Sequence, residues 1–187
     1  MYNIKLIIIF KFIKNAKIED EKYYDVCIIG GGPAGSTAGF YLSKGGLRVL
    51  QIEKNKYPSD RICGDIIPPT CHFILKDMGV FQELMQEGIG NWINSGGLVS
   101  PSGISFIADL SNSHDLLVQR ILLDHKMVLS AQRQGVHLLH ALVISLNPPD
   151  KNFNYWKIIA QSTVQLDDNS DPITTELTYF ARFFFSY

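Results

Sequence analysis

Four residues stand out for the chemistry they could support: Gly30, Gly32, Gly35 and Glu53. The glycines fit the spacing G-x-G-x-x-G within Tyr24-Asp25-Val26-Cys27-Ile28-Ile29-Gly30-Gly31-Gly32-Pro33-Ala34-Gly35. That spacing is weak by itself and gains force only where a strand ends and a helix begins. There Gly30 lets the chain turn tightly, Gly32 leaves the backbone bare for a pyrophosphate, and Gly35 lets the helix pack close to the strand. Pro33 suits the first helical turn, where a missing N–H costs nothing, and Ala34 continues that turn. The N–H groups at the helix start and the positive end of its dipole then face the anion. Glu53 follows Gly30 by 23 positions, near the ~20 expected for an acid that accepts a hydrogen bond from a ribose hydroxyl. A carboxylate there repels a 2′-phosphate, which points to FAD or NAD rather than NADP.

The elements that must position these groups can be read on either side of the turn. Tyr24–Gly30 is a continuous apolar run, as expected of a strand at the buried centre of a parallel sheet. Residues 34–44 read as a helix ended by Gly45-Gly46, and Leu47–Glu53 as a second strand. Strand, glycine turn, helix, strand and terminal acid make a complete βαβ unit. The polar loop from Lys54 to Asp65 leaves the carboxyl end of the second strand, where ligand contacts concentrate. In it, Arg61 is suited to a phosphate, and Cys63-Gly64 would let the backbone approach a flat ring. The competing reading is a plain surface loop with an incidental cysteine.

Further along, Pro68-Pro69-Thr70 opens a helix running to Met78, and Val80–Glu87 is a second short one, each stopped by a glycine. Gly96–Ser100 and Ile104–Leu110 read as strands around the turn Ser100-Pro101-Ser102-Gly103, a small antiparallel piece inserted into the nucleotide-binding domain. A helix is predicted over Ile121–Gln134, with Leu123, Met127 and Ala131 on one face and Asp124 in the first turn, favouring the dipole. Val136–Leu146 follows as one strand. Tyr155–Gln161 and Ile173–Arg182 form a hairpin across the polar loop 166–172.

Composition narrows the class. In 187 residues, 46% are apolar and 19% charged, with a net charge of −1. This fits a globular domain and gives no electrostatic ground for a nucleic-acid partner. Three cysteines, at 27, 63 and 71, make no disulfide framework or metal site and fit a reducing, cytoplasmic compartment. The five histidines show no ligand spacing, so no metal is expected. There is no Ser/His/Asp signature, and no catalytic residue is assigned. Residues 1–22 carry a short apolar run and then lysines at 11, 14 and 17. They read as an extension, with a cleaved signal or a membrane-surface segment as the competing readings. No run reaches the roughly 18 apolar residues of a spanning helix.

Taken together, these stretches resemble FAD-dependent oxidoreductases of the geranylgeranyl reductase family, which is related to flavin monooxygenases and halogenases. The resemblance is carried by Tyr24 to Gly35, by Leu47 to Glu53, and by Pro58-Ser59-Asp60-Arg61-Ile62-Cys63-Gly64-Asp65. It continues in Arg120-Ile121-Leu122-Leu123-Asp124 and in Ala131 to Gly135, and covers roughly residues 23–182. It implies an α/β, three-layer, Rossmann-like FAD/NAD(P)-binding fold with a central parallel sheet and small antiparallel additions. It also implies FAD as cofactor, held by Gly30, Gly32, Pro33, Ala34, Gly35 and Glu53. Arg61, Cys63 and Gly64 would line the flavin side. Arg120 would meet the phosphates or ribityl chain, and the Val143 backbone the adenine. The implied substrate is a hydrophobic small molecule, prenyl or aromatic, with NAD(P)H or another donor supplying electrons.

The chain also departs from that family. Members run to about twice this length or more and carry a second flavin motif and a substrate-covering sheet. Here the last strand runs into Phe183-Phe184-Phe185-Ser186-Tyr187. The expectation is therefore a truncated FAD-binding domain over 23–187. Two alternatives stay open: a non-catalytic nucleotide-binding fragment whose sheet has lost a strand and exposes an edge, and an NAD-dependent Rossmann enzyme.

Overall fold

The computed structural model of the protein describes residues 22–164 and 172–186. Residues 1–21 of the extension 1–22 and residues 166–171 of the expected polar loop lie outside them. In chain order the elements are β1 (Tyr23–Ile29), α1 (Pro33–Lys44), β2 (Val49–Glu53), β3 (Ile66–Ile67), α2 (Pro69–Asp77), α3 (Val80–Gln86), β4 (Asn91–Trp92) and β5 (Ser95–Val99). They continue with β6 (Ser105–Asp109), β7 (Leu116–Leu117), α4 (Arg120–Arg133), β8 (His137–His140), β9 (Leu142–Asn147), β10 (Trp156–Val164) and β11 (Ile173–Ser186). The chain divides into two compact units, Met1–Tyr57 with Val128–Tyr187, and Pro58–Met127.

The first unit is built on a six-stranded sheet in the order β8-β2-β1-β11-β10-β9. β1 runs parallel to β2 and to β11, and β2 parallel to β8. β9, β10 and β11 form an antiparallel meander. β11 is shared lengthwise: residues 173–181 pair with β10, and 180–186 pair with β1. The run Phe183 to Ser186 thus completes a strand beside Val26 to Ile29. β1 has a neighbour on each side, and the described sheet ends at β8 and β9.

The expected single strand Val136–Leu146 is two strands. β8 and β9 stand at opposite ends of the strand order, yet only Ala141 separates them. Adjacent strands lie ~4.8 Å apart and one residue spans ~3.4 Å, so a flat sheet cannot connect them. The meander instead turns back over one face of the parallel strands. Cys27, Leu50 and Ile52 there join Ile158, Ala160 and Ala181 in one buried cluster, with Trp156 and Phe184 packed against it. The helical layer lies on the other side. A Cβ placed on Gly39 of α1 would come within 3.6 Å of Ile28 Cδ1 and 3.2 Å of Val136 Cγ2. Helix, parallel strands and meander are the three layers expected. Because both faces are covered, β2 is buried along its whole length, and its apolar run is continuous rather than alternating. Each fully buried Leu or Ile contributes about 1.5–3 kcal/mol of transfer free energy.

The second unit holds a three-stranded antiparallel sheet, β3-β7-β4, and the hairpin β5–β6. Helices α2 and α3 bury Leu75, Val80 and Leu84, and Ile67, Leu116 and Val118 are buried in the sheet segment. The hairpin follows the sequence expectation within one residue at each end. The two-residue strands β3, β4 and β7 carry too little pattern to be read from sequence. Among the described residues no helix is long and apolar enough to cross a membrane.

Candidate functional site

The glycine turn is shaped by steric exclusion. Gly30 sits at φ +113°, a conformation open mainly to glycine, and its N–H bonds the Ile52 carbonyl at 2.9 Å. A Cβ on Gly35 would overlap the Gly30 carbonyl oxygen and lie 3.1 Å from Gln51 Nε2. Helix α1 therefore approaches the end of β1 as closely as a bare backbone allows. A Cβ on Gly31 would overlap the Tyr57 hydroxyl and come within 3.0 Å of Glu53 Cβ.

The helix start has the features an anion requires. Gly32 is the N-cap in extended conformation, Pro33 follows at the first helical position, and no side chain caps this end among the described residues. The first helical bond runs from Ser36 N–H to the Gly32 carbonyl, 2.9 Å. Earlier N–H groups have no intrahelical acceptor, and they sit at the positive end of a 12-residue helix.

Glu53 ends β2 beside the turn and is only 3% exposed. Its Oε2 accepts the Gly31 N–H at 2.8 Å and its Oε1 the Asn55 N–H at 2.9 Å. The Ala141 N–H bonds the Glu53 carbonyl at 3.0 Å. His140 stands opposite Glu53 in the register of β8. Its Nδ1 lies 3.0 Å from the Asn55 carbonyl and its ring 5.9 Å from that of Tyr57. Gly30, Gly32, Pro33, Ala34, Gly35 and Glu53 are thus gathered at one end of the parallel strands. Val143 lies further along, in β9 opposite Ala160 of β10, where its side chain packs against the meander cluster.

The remaining sequence-predicted residues lie in the second unit. Arg120 is the first residue of α4. Its guanidinium grips Asp124 through two bonds, Nε to Oδ1 at 2.6 Å and Nη2 to Oδ2 at 2.8 Å. Asp124 is 1% exposed, and this pairing raises the Arg120 pKa further and keeps it charged. The helix begins one residue earlier than expected, so Asp124 falls outside its first turn. It serves as the partner of Arg120 rather than as a dipole-complementing acid. That service is done by Asp65, whose Oδ1 accepts the Arg120 N–H at 3.2 Å. Asp65 has φ +60°, and its carbonyl accepts the Val118 N–H at 2.9 Å.

Those bonds hold the Cys63-Gly64-Asp65 segment against the start of α4. The exposed Cys63 thiol is lowered in pKa, first by hydrogen bonding to the Asp65 backbone and then by the Arg120 guanidinium. A Cβ on Gly64 would meet nothing within 4 Å, so packing does not demand glycine there. The Arg61 N–H bonds the carboxylate of neighbouring Asp60 at 2.8 Å. Buried Cys27 behaves oppositely: desolvation pushes its thiol up to about 12.

Sequence reading missed Gln51, Tyr57, His140 and Asp65. Only Gln51 left a signal, a lone amide within an apolar strand. The other three act through partners 26 to 85 residues away, which no local pattern records.

Residues 23–164 match the family model described as FAD binding domain. The chain is 36% identical over 180 residues to conditioned medium factor receptor 1 of Dictyostelium discoideum, covering 91% of this chain and 34% of that protein. It is 29% identical over 140 residues to digeranylgeranylglycerophospholipid reductase of Methanocaldococcus jannaschii, covering 74% and 33%. Its fold is similar to that of a flavin-dependent brominase, with TM-score 0.69 at 23% identity over 88% of this chain and 37% of the other. The chain spans about a third of the length of the curated relatives it matches. The residues of the first unit fit FAD: a helix end without a side-chain cap, a turn that excludes side chains, and a carboxylate at the end of β2. The uncapped glycine turn and the family match over most of the chain lead to one assignment: this chain belongs to the FAD binding domain family, and its cofactor is FAD.

Proposed function

We propose that the chain supplies the FAD-binding part of an oxidoreductase acting on a hydrophobic substrate, prenyl or aromatic, with a reduced nicotinamide as electron donor. The observation that carries this reading is the glycine turn, where Gly30 at positive φ, Gly35 against the Gly30 carbonyl and the uncapped end of α1 leave room for a pyrophosphate. Bound FAD supplies the redox chemistry. In the first unit, Gly30, Gly32, Pro33, Ala34 and Gly35 hold its pyrophosphate, and Glu53 accepts from the adenosine ribose. The Val143 backbone is the proposed adenine contact. Arg61, Cys63 and Gly64 are proposed for the flavin side from their place in the loop after β2 and from the family resemblance, and Arg120 from the resemblance. The substrate class is supported by relatives named as a digeranylgeranylglycerophospholipid reductase and a pyrrole-carbonyl carrier-protein brominase. Purified chain should carry, or take up, a flavin absorbing at about 450 nm. Colourless protein that fails to bind added FAD refutes the reading.

A second reading is a flavin-binding module without turnover. It is favoured by the receptor name of the relative that matches 91% of this chain. Stopped-flow mixing of the flavin-loaded chain with NADH or NADPH separates the two. Rapid bleaching of the flavin supports the oxidoreductase, and an unreduced flavin supports the module.

A further inference from the structure

Three consecutive glycines, Gly30 to Gly32, form the turn, and glycine loses more backbone freedom on ordering than any other residue. A turn left to itself would have to be ordered by the cofactor, at a cost in affinity. The turn is instead fastened at three successive backbone groups, all from β2 and the loop that leaves it. Gln51 Nε2 donates to the Gly30 carbonyl at 3.2 Å. Glu53 Oε2 accepts the Gly31 N–H at 2.8 Å. The Tyr57 hydroxyl donates to the Gly31 carbonyl, which also accepts from Ser36 Oγ at 3.2 Å. Gln51 and Glu53 are two apart on a strand and so project to the same face. Tyr57 reaches back from the loop, its ring against His140.

Gln51 carries the clearest sign of a purpose other than stability. It is 0% exposed, yet its Oε1 has no hydrogen-bond partner among the described residues. A buried unsatisfied amide oxygen costs stability, and an apolar side chain of the same shape would avoid that cost. What the amide contributes here is its bond to Gly30.

We propose that Gln51 and Tyr57 are positioning residues that brace the glycine turn in its cofactor-binding geometry before FAD arrives. This rests on the reading of the turn as the FAD pyrophosphate site, and the test separates the two. The full chain, flavin-free, is compared with Gln51→Met and Tyr57→Phe. The measurements are the FAD dissociation constant by flavin fluorescence, amide hydrogen exchange over residues 30–36 without ligand, and the melting temperature. Each variant should bind FAD about three- to tenfold more weakly, the effect of one lost neutral hydrogen bond. Tyr57→Phe falls at the lower end because Ser36 still holds the Gly31 carbonyl. The turn amides should exchange faster in both variants, while Gln51→Met melts no lower than the parent. The brace is refuted if exchange and affinity stay at parental values, or if affinity falls only in step with melting temperature in both variants. If the parent chain takes up no FAD, the cofactor reading fails alone, and exchange over residues 30–36 still decides the brace.

Discussion

The substitution Gly35→Ala puts the close approach of α1 to the end of β1 to the test. Its new Cβ would overlap the Gly30 carbonyl oxygen and lie 3.1 Å from Gln51 Nε2. The first obstacle is backbone, so it cannot swing aside as a side-chain tip would, and α1 must move away from β1. Inserting a methyl group into such a site costs about 1–3 kcal/mol, and a backbone clash places this one at the upper end. Replacing a helical glycine by alanine returns at most about 1 kcal/mol. The net loss is about 2 kcal/mol, or roughly 4–8 °C in melting temperature for a chain of this size. Gly39→Ala in the same helix is the control. Its Cβ would meet only methyl groups, Val136 Cγ2 at 3.2 Å and Ile28 Cδ1 at 3.6 Å. These can yield by a few tenths of an ångström, so the propensity gain should leave stability within about 1 kcal/mol of the parent. The assay is thermal and urea denaturation of both variants without ligand. If Gly35→Ala melts with Gly39→Ala and the parent, the close approach of helix and strand is wrong, and with it the shape of the turn.

Glu53→Ala removes the acceptor of two backbone N–H groups as well as the proposed ribose contact. FAD binding should weaken by about 1–3 kcal/mol, the scale of hydrogen bonds to a charged group, measured by flavin titration. The Cys63 thiol, lowered by the Asp65 backbone and Arg120, should react with iodoacetamide from a lower pH than an ordinary thiol, since the thiolate is the nucleophile. Arg120→Gln should move that onset back up. Cys27, pushed up to about 12 by burial, should label only on unfolding. Peptide mass spectrometry across a pH series reads both sites, and an unchanged Cys63 profile in Arg120→Gln would discount the guanidinium contact.

The part of the fold that was legible in the sequence is the part made by neighbours along the chain. The strand–glycine–helix–strand unit, the helix stops at Gly45-Gly46 and Gly135, and the hairpin around Pro101 each follow from local pattern. The misreadings occur where pairing is long-range. The Val136–Leu146 run has one apolar pattern throughout. Its division at Ala141 comes from two different partners, β2 for the first half and β10 for the second. Phe183 to Ser186 carry no turn signal and none of the family's pattern, yet β1 supplies them a parallel register. Asp124 was misread because a shift of one residue in the helix start changes its neighbour from the helix dipole to Arg120.

Sequence alone singled out Gly30, Gly32 and Gly35 as the proposed dinucleotide site, because the glycine spacing, the helix start and the strand-end acid all fall within about 30 residues of one another. Only the tertiary structure decided how that turn is held. Gln51, Glu53 and Tyr57 reach it from a neighbouring strand and its outgoing loop, 21 to 26 residues later. Which backbone groups they bond depends on the strand register, and register is fixed by packing of both sheet faces rather than by any residue's own preference.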